Sequence, residues 1–155
     1  MELLYNLGLE PSLAVLFILS FLAATVVPIG SEWLLMVMIM TGFSPSHTVI
    51  TATIGNYLGG CTTYLIGIYG SDFIISKLLR ISNAELVRAK GIYKKYGSWS
   101  LLLSWLPIVG DPLCLLAGIF KIGFVRFSLL VFTGKFLRYT TLAILATRLA
   151  EVNQQ

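Results

Sequence analysis

Long apolar runs broken by short polar stretches make up most of this chain, and two of the breaks match each other. Pro28-Ile29-Gly30-Ser31-Glu32 and Pro107-Ile108-Val109-Gly110-Asp111 each place a proline, an isoleucine and, four positions after the proline, a carboxylate inside apolar sequence. A carboxylate in hydrocarbon costs several kcal/mol unless it is protonated, paired or facing water, so both acids are functional candidates.

Segment lengths shape the fold expected from this pattern. A perpendicular helix needs about 20 residues to cross roughly 30 Å of hydrocarbon. The run 12–27 is a little short for that and 33–43 far too short, whereas together they exceed one span. A re-entrant hairpin over 11–44 fits, with a non-helical tip at 28–32. Broken backbone is tolerated at membrane depth only where protein buries it or a wet cavity borders it. Ser46 is the expected N-cap of a full transmembrane helix over 46–70. The polar section 71–97 reads as amphipathic helices, the second opened by the capping box Ser82-Asn83-Ala84-Glu85. A second hairpin follows at 98–120, with its tip running from Pro107 to Pro112, and a second transmembrane helix at 123–150. By the positive-inside rule 71–97 is cytoplasmic, so the two hairpins would enter from opposite faces. The expectation is a single all-α membrane domain over 1–155: two inverted repeats, each a hairpin followed by a transmembrane helix, as in many secondary transporters.

Composition agrees with that class, because 57% of residues are hydrophobic, 12% are charged, and no charged side chain lies between Glu32 and Asp72. The net charge of +4 would suit nucleic acid, but six of the eleven basic residues lie between Lys77 and Lys95, beside membrane segments, where a cytoplasmic, lipid-facing section explains them better and no nucleic acid is expected. The N-terminal apolar run lacks the positive flank of a signal peptide. Cys61 and Cys114 lack metal-site spacing and read as small core residues. His47 reads as interfacial. No metal and no cofactor are implied.

Glu32, Asp111, Lys135 and Arg138 are the charges placed deep in the membrane. Lys135 and Arg138 are three apart and share a helix face. They suit an anionic group such as a phosphate, Arg138 as a planar fork and Lys135 as a point charge. The carboxylates would be the proton-titrating or gating partners. Ser31 and Asn56 add polar groups at similar depth and are expected to join Lys135 and Arg138 in binding the anion. Pro28, Pro107 and Pro112 break the helices, and Gly30 and Gly110 widen the backbone choices at the tips. Gly55 and Gly59, with Gly60 beside them, form a small-residue surface for close helix packing. A set of salt bridges that merely holds the hairpins to the last helix is the alternative reading of the four charges.

At these positions the chain resembles a known family. Phe21-Leu22-Ala23-Ala24-Thr25, the Pro28 to Glu32 stretch, Gly55-Asn56-Tyr57-Leu58-Gly59-Gly60, Tyr96-Gly97, Leu103-Ser104-Trp105-Leu106 running into the Pro107 to Asp111 stretch, Ala117-Gly118 and Gly134-Lys135-Phe136-Leu137-Arg138-Tyr139 together resemble the DedA superfamily (VTT or SNARE-associated domain), in its short YqaA-like branch. The resemblance implies paired inverted hairpin units and movement of lipid phosphates, notably polyprenyl phosphates, across the bacterial inner membrane, with proton coupling. Glu32 matches the acidic position of the first hairpin and Pro107 the proline of the second. The chain departs from the better-studied branch in having Trp105 where an arginine is expected, Asp111 near a second arginine position, and Gly60 in place of an aspartate. The anion-binding charge is therefore expected at Lys135 and Arg138.

The expected function is a proton-coupled lipid-phosphate or phospholipid flippase of the bacterial inner membrane, not an enzyme. Its partners are membrane lipid and protons, and a second copy of the chain is one way to shield the hairpin backbone. A small cation/proton antiporter is the alternative. An intramembrane aspartyl protease fits less well, because its chemistry needs two aspartates and the first acid here is a glutamate. A non-transporting scaffold completes the set.

Overall fold

Helix α1 (Leu13–Ala23) starts where the Ser12 hydroxyl accepts the Val15 amide at 3.3 Å, closing one of the amides left open at a helix start. In the computed structural model, which describes residues 11–25, 31–70, 83–106 and 109–152, it is followed by α2 (Glu32–Met40), α3 (Pro45–Tyr69), α4 (Asn83–Tyr96), a 3₁₀ segment (Gly97–Trp105), α5 (Gly110–Ile119) and α6 (Phe124–Val152). No strand occurs among these residues. The expected tip residues Pro28, Gly30 and Pro107, the 71–82 half of the polar section and the capping residue Ser82 lie outside the described residues.

Several boundaries differ from those the sequence suggests, each for a local reason. Ser44 rather than Ser46 precedes the first turn of α3, because Pro45 takes the first helical position, where its missing amide costs nothing. Glu32 begins α2 rather than ending the tip, and Gly110, Asp111 and Pro112 are helical, forming the start of α5. Pro112 is accommodated there because the first-turn amides have no partner inside the helix. The first arm of the second half is 3₁₀ rather than α, with the Ser100 hydroxyl donating to the Gly97 carbonyl at 2.7 Å and Gly97 at φ 58° making the break from α4.

The two halves share one register. Pro45 and Phe124, which open the long helices, stand the same distance apart in sequence as Asn56 and Lys135, 79 positions. Glu32 and Asp111, in the first turns of α2 and α5, keep this spacing too. So do the ends of those helices. The amides of Gly42 and Phe43 donate to Ile39 and Met38 at 3.1 and 3.0 Å, while those of Lys121 and Ile122 donate to Gly118 and Ala117 at 2.9 and 3.0 Å. Both are double-bonded C-terminal caps around a left-handed residue, Gly42 at φ 101° and Lys121 at φ 50°.

Packing is reciprocal as well. The first arm of each half lies on its own long helix, α1 on α3 and the 3₁₀ segment on α6. Each return arm crosses over, α2 onto α6 and α5 onto α3. Glycines set the close approaches: a Cβ on Gly55 or Gly59 would lie 2.6 or 2.5 Å from the Phe17 or Phe21 carbonyl of α1, and one on Gly134 would lie 2.7 Å from the Leu102 carbonyl. Gly67 and Gly118 let α3 and α5 meet backbone to backbone. The Gly55 and Gly59 surface is thus filled from within the chain.

Helices α3 and α6 run antiparallel, since Asn56 meets Lys135, Tyr57 meets Ser128 and Tyr64 stacks on Phe127. Two apolar cores result. One joins Leu16, Leu34, Leu35, Met38, Ala52 and Ala143, and the other joins Tyr64, Leu101, Leu113, Leu116, Phe127 and Val131. The interior also takes in Ser20, Thr53, Asn56, Thr63 and Lys135, while Ile18, Ile50, Leu65, Leu129, Leu137 and Ile144 face outward. Apolar outside and partly polar inside is the arrangement of a chain solvated by lipid. Among the described residues, Phe124–Glu151 is the one helix both long and apolar enough to cross a membrane. Helix α3 has the length, with 25 residues spanning about 37 Å, but its threonines, glycines and Asn56 lower its hydropathy.

Candidate functional site

Between the two apolar cores, α6 presents Lys135, Arg138 and Tyr139 on one face, as their spacing of three and four requires. The start of α2 faces this stripe. Arg138 donates from its guanidinium to Glu32 Oε1 as a hydrogen-bonded ion pair, and the hydroxyls of Ser31 and Tyr139 are bonded at 2.7 Å. Glu32 also stands where the partial positive charge of α2 emerges, so two positive fields hold it.

Further toward the N-terminus of α6 on that face, the Lys135 side chain reaches α3 and α5. Its ammonium donates to the Asn56 backbone carbonyl at 3.0 Å and to the Asn56 side-chain oxygen, and lies 3.8 Å from Asp111 Oδ1. The side chain is only 2% exposed, so this charge is desolvated and depends on those partners. Asn56 is itself fixed, its side-chain amide donating to the Ser20 carbonyl of α1 at 3.2 Å. Gly60 belongs here rather than with the helix-packing glycines: the atoms nearest a Cβ built on it would be Lys135 Cε, Lys135 Nζ and Cys114 Sγ, each at 3.5 Å. A close fit sets Asp111 in place, since Gly110 lies against the Ser104 carbonyl with no room for a Cβ.

The structure therefore brings together Glu32, Asp111, Lys135, Arg138 and Asn56. Ser31 sits at their edge, bonded to Tyr139 rather than to a cation, and is 1% exposed. Asp111 is the most open member, its side chain 41% exposed against 24% for Glu32 and 20% for Arg138. The acids come from two arms that share a register, whereas both cations come from α6; the matching positions of α3 hold the neutral Asn56 and Gly59. Tyr139 was legible only as part of a motif, although its position four after Lys135 puts it on the same face. Ser20 and Ser104 were not singled out. Their hydroxyls are buried beside the cluster and have no hydrogen-bond partner among the described residues.

The VTT domain family matches residues 27–147, a stretch that contains every charged member of this cluster. The chain belongs to the VTT-domain family. Inner membrane protein YqaA of Escherichia coli (strain K12) is 44% identical to this VTT-domain chain over 133 residues, covering 85% of the chain and 89% of that protein. The Shigella flexneri protein of the same name gives the same figures. An uncharacterized protein of Haemophilus influenzae is 38% identical over 144 residues, 88% of each sequence. No solved structure matches the chain at a significant level. For a VTT-domain protein with long covering matches to relatives of nearly its own length, the superfamily resemblance carried by the motifs is established.

Proposed function

We propose that this VTT-domain protein is a proton-coupled transporter of lipid phosphates in the bacterial inner membrane and not an enzyme, with Lys135 and Arg138 receiving the phosphate and Glu32 and Asp111 exchanging protons. The observation that carries the reading is the convergence of two acids, from two different arms, on two cations of one helix face between two apolar cores. Carboxylate and phosphate oxygens have the same claim on a guanidinium. A phosphate binding Arg138 would displace the Glu32 carboxylate from it, and a proton on Glu32 would likewise release Arg138 from the ion pair. Lipid-phosphate binding and protonation would then be linked by competition for one cation. The unpartnered hydroxyls of Ser20 and Ser104 supply further donors nearby.

An inverted pair of re-entrant hairpins is the topology that suits this chemistry. Its support is the common register of the halves, the matched caps of α2 and α5 and the reciprocal packing of the arms. The inner-membrane placement rests on the relatives named above. The test is transbilayer movement of a polyprenyl phosphate in proteoliposomes, with and without a pH gradient. Lipid movement that responds to the gradient is expected. Proton flux driven by Na⁺ or K⁺ with no lipid movement would replace this reading by a cation/proton antiporter built from the same charges.

A further inference from the structure

Helix α6 carries a second cation site that the transport reading leaves unused. Lys135, Arg138 and Arg148 each face a carboxylate, whereas Arg126, in the first turn of the same helix, has no ion pair among the described residues. Arg126 opens onto a groove of about 840 Å³, a volume within the range of ligand clefts. Gly123, Phe124, Val125, Leu129 and Leu130 of the α6 start line one side, and Ser98 and Trp99 line the other. The surface is apolar apart from Arg126 and Ser98.

Trp99 is 69% exposed, and the neighbouring Tyr96 ring lies 5.2 Å from the Lys95 ammonium. Exposed Trp and Tyr beside Lys94, Lys95 and Arg126 is the pattern of a headgroup boundary on the positively charged side of a membrane protein. An apolar trough leading away from that boundary, with a guanidinium at its mouth that forms no ion pair among the described residues, matches a molecule with a phosphate at one end and a hydrocarbon chain at the other.

We propose that this groove holds one anionic phospholipid, its phosphate on Arg126 and one acyl chain along Phe124, Leu129 and Trp99. The site is separate from the charge cluster, because Arg126 precedes Lys135 by nine residues, about 13 Å along the helix. It stands whether or not lipid phosphates are what the cluster transports.

Native mass spectrometry of the full chain in mild detergent, after exchange into phosphatidylglycerol or phosphatidylcholine, tests it. The native chain is expected to keep one phosphatidylglycerol and to lose phosphatidylcholine. Arg126→Gln, a change at an exposed position, should lower phosphatidylglycerol retention about fivefold, the weight of one basic residue at an anionic surface. Gly123→Leu, where a Cβ meets nothing within 4 Å, should fill the groove and lower retention with Arg126 intact. Equal retention of the two lipids by the native chain, or undiminished phosphatidylglycerol on Arg126→Gln or Gly123→Leu, would overturn the proposal.

Discussion

Asn56 and Lys135 hold the same register in the two halves of the chain, 79 positions apart, and they are bonded to each other, Lys135 Nζ donating to the Asn56 carbonyl at 3.0 Å. The contact joins the middle of α3 to the middle of α6. One unit supplies a cation there and the other a neutral acceptor. Lys135→Met keeps the side-chain length and removes the charge, leaving the Asn56 oxygen unpaired and Asp111 without its cation. It should destabilise the protein by about 3 kcal/mol, and a double-mutant cycle with Asn56→Ala should give a coupling of about 1–3 kcal/mol. Reversible unfolding in detergent mixtures measures both; because the backbone carbonyl stays in Asn56→Ala, additive effects would show that the bond from Lys135 to the Asn56 side-chain oxygen carries no energy.

Tyr139→Phe removes one hydroxyl and no packing volume. Because Ser31 Oγ is buried and bonded to that hydroxyl at 2.7 Å, the variant should lose about 1–3 kcal/mol. Adding Ser31→Ala should recover part of the loss, since an unpaired buried hydroxyl costs more than an absent one. A double variant less stable than Tyr139→Phe alone would count against the bond.

Two glycines of α3 should respond in opposite ways. Gly67→Ala drives a methyl into the Leu115 carbonyl and the backbone at Gly118, and should cost about 1–3 kcal/mol as α5 is pushed away. Gly60→Ala meets side-chain atoms at 3.5 Å, an ordinary contact, and should be neutral or gain up to about 1 kcal/mol from helix propensity. Thermal unfolding of the two purified variants beside the native chain decides this, and equal losses would place Gly60 in helix packing after all.

The sequence carried the paired acids, the shared face of Lys135 and Arg138, and the two long helices, because each is a local spacing or a run length. The 3₁₀ form of Gly97–Trp105 was not legible, since the same apolar residues suit either helix and the choice is made by packing on α6 and α5. The early start of α5 was masked by Gly110 and Pro112, which read as helix breakers yet sit in a first turn that tolerates them. The Ser31 and Tyr139 bond spans 108 positions and leaves no periodic trace. The constant spacing of the two halves was the one long-range signal open to reading, and it would have paired Asn56 with Lys135.

The initial rate of polyprenyl phosphate movement in proteoliposomes, compared between the native chain and an Arg138→Gln variant shown to be folded, is the most direct test of the anion site. Losing a charge-assisted hydrogen bond to the phosphate should slow the variant at least about tenfold. Movement at the native rate would contradict the site and leave Arg138 and Glu32 as a bond that holds α2 to α6.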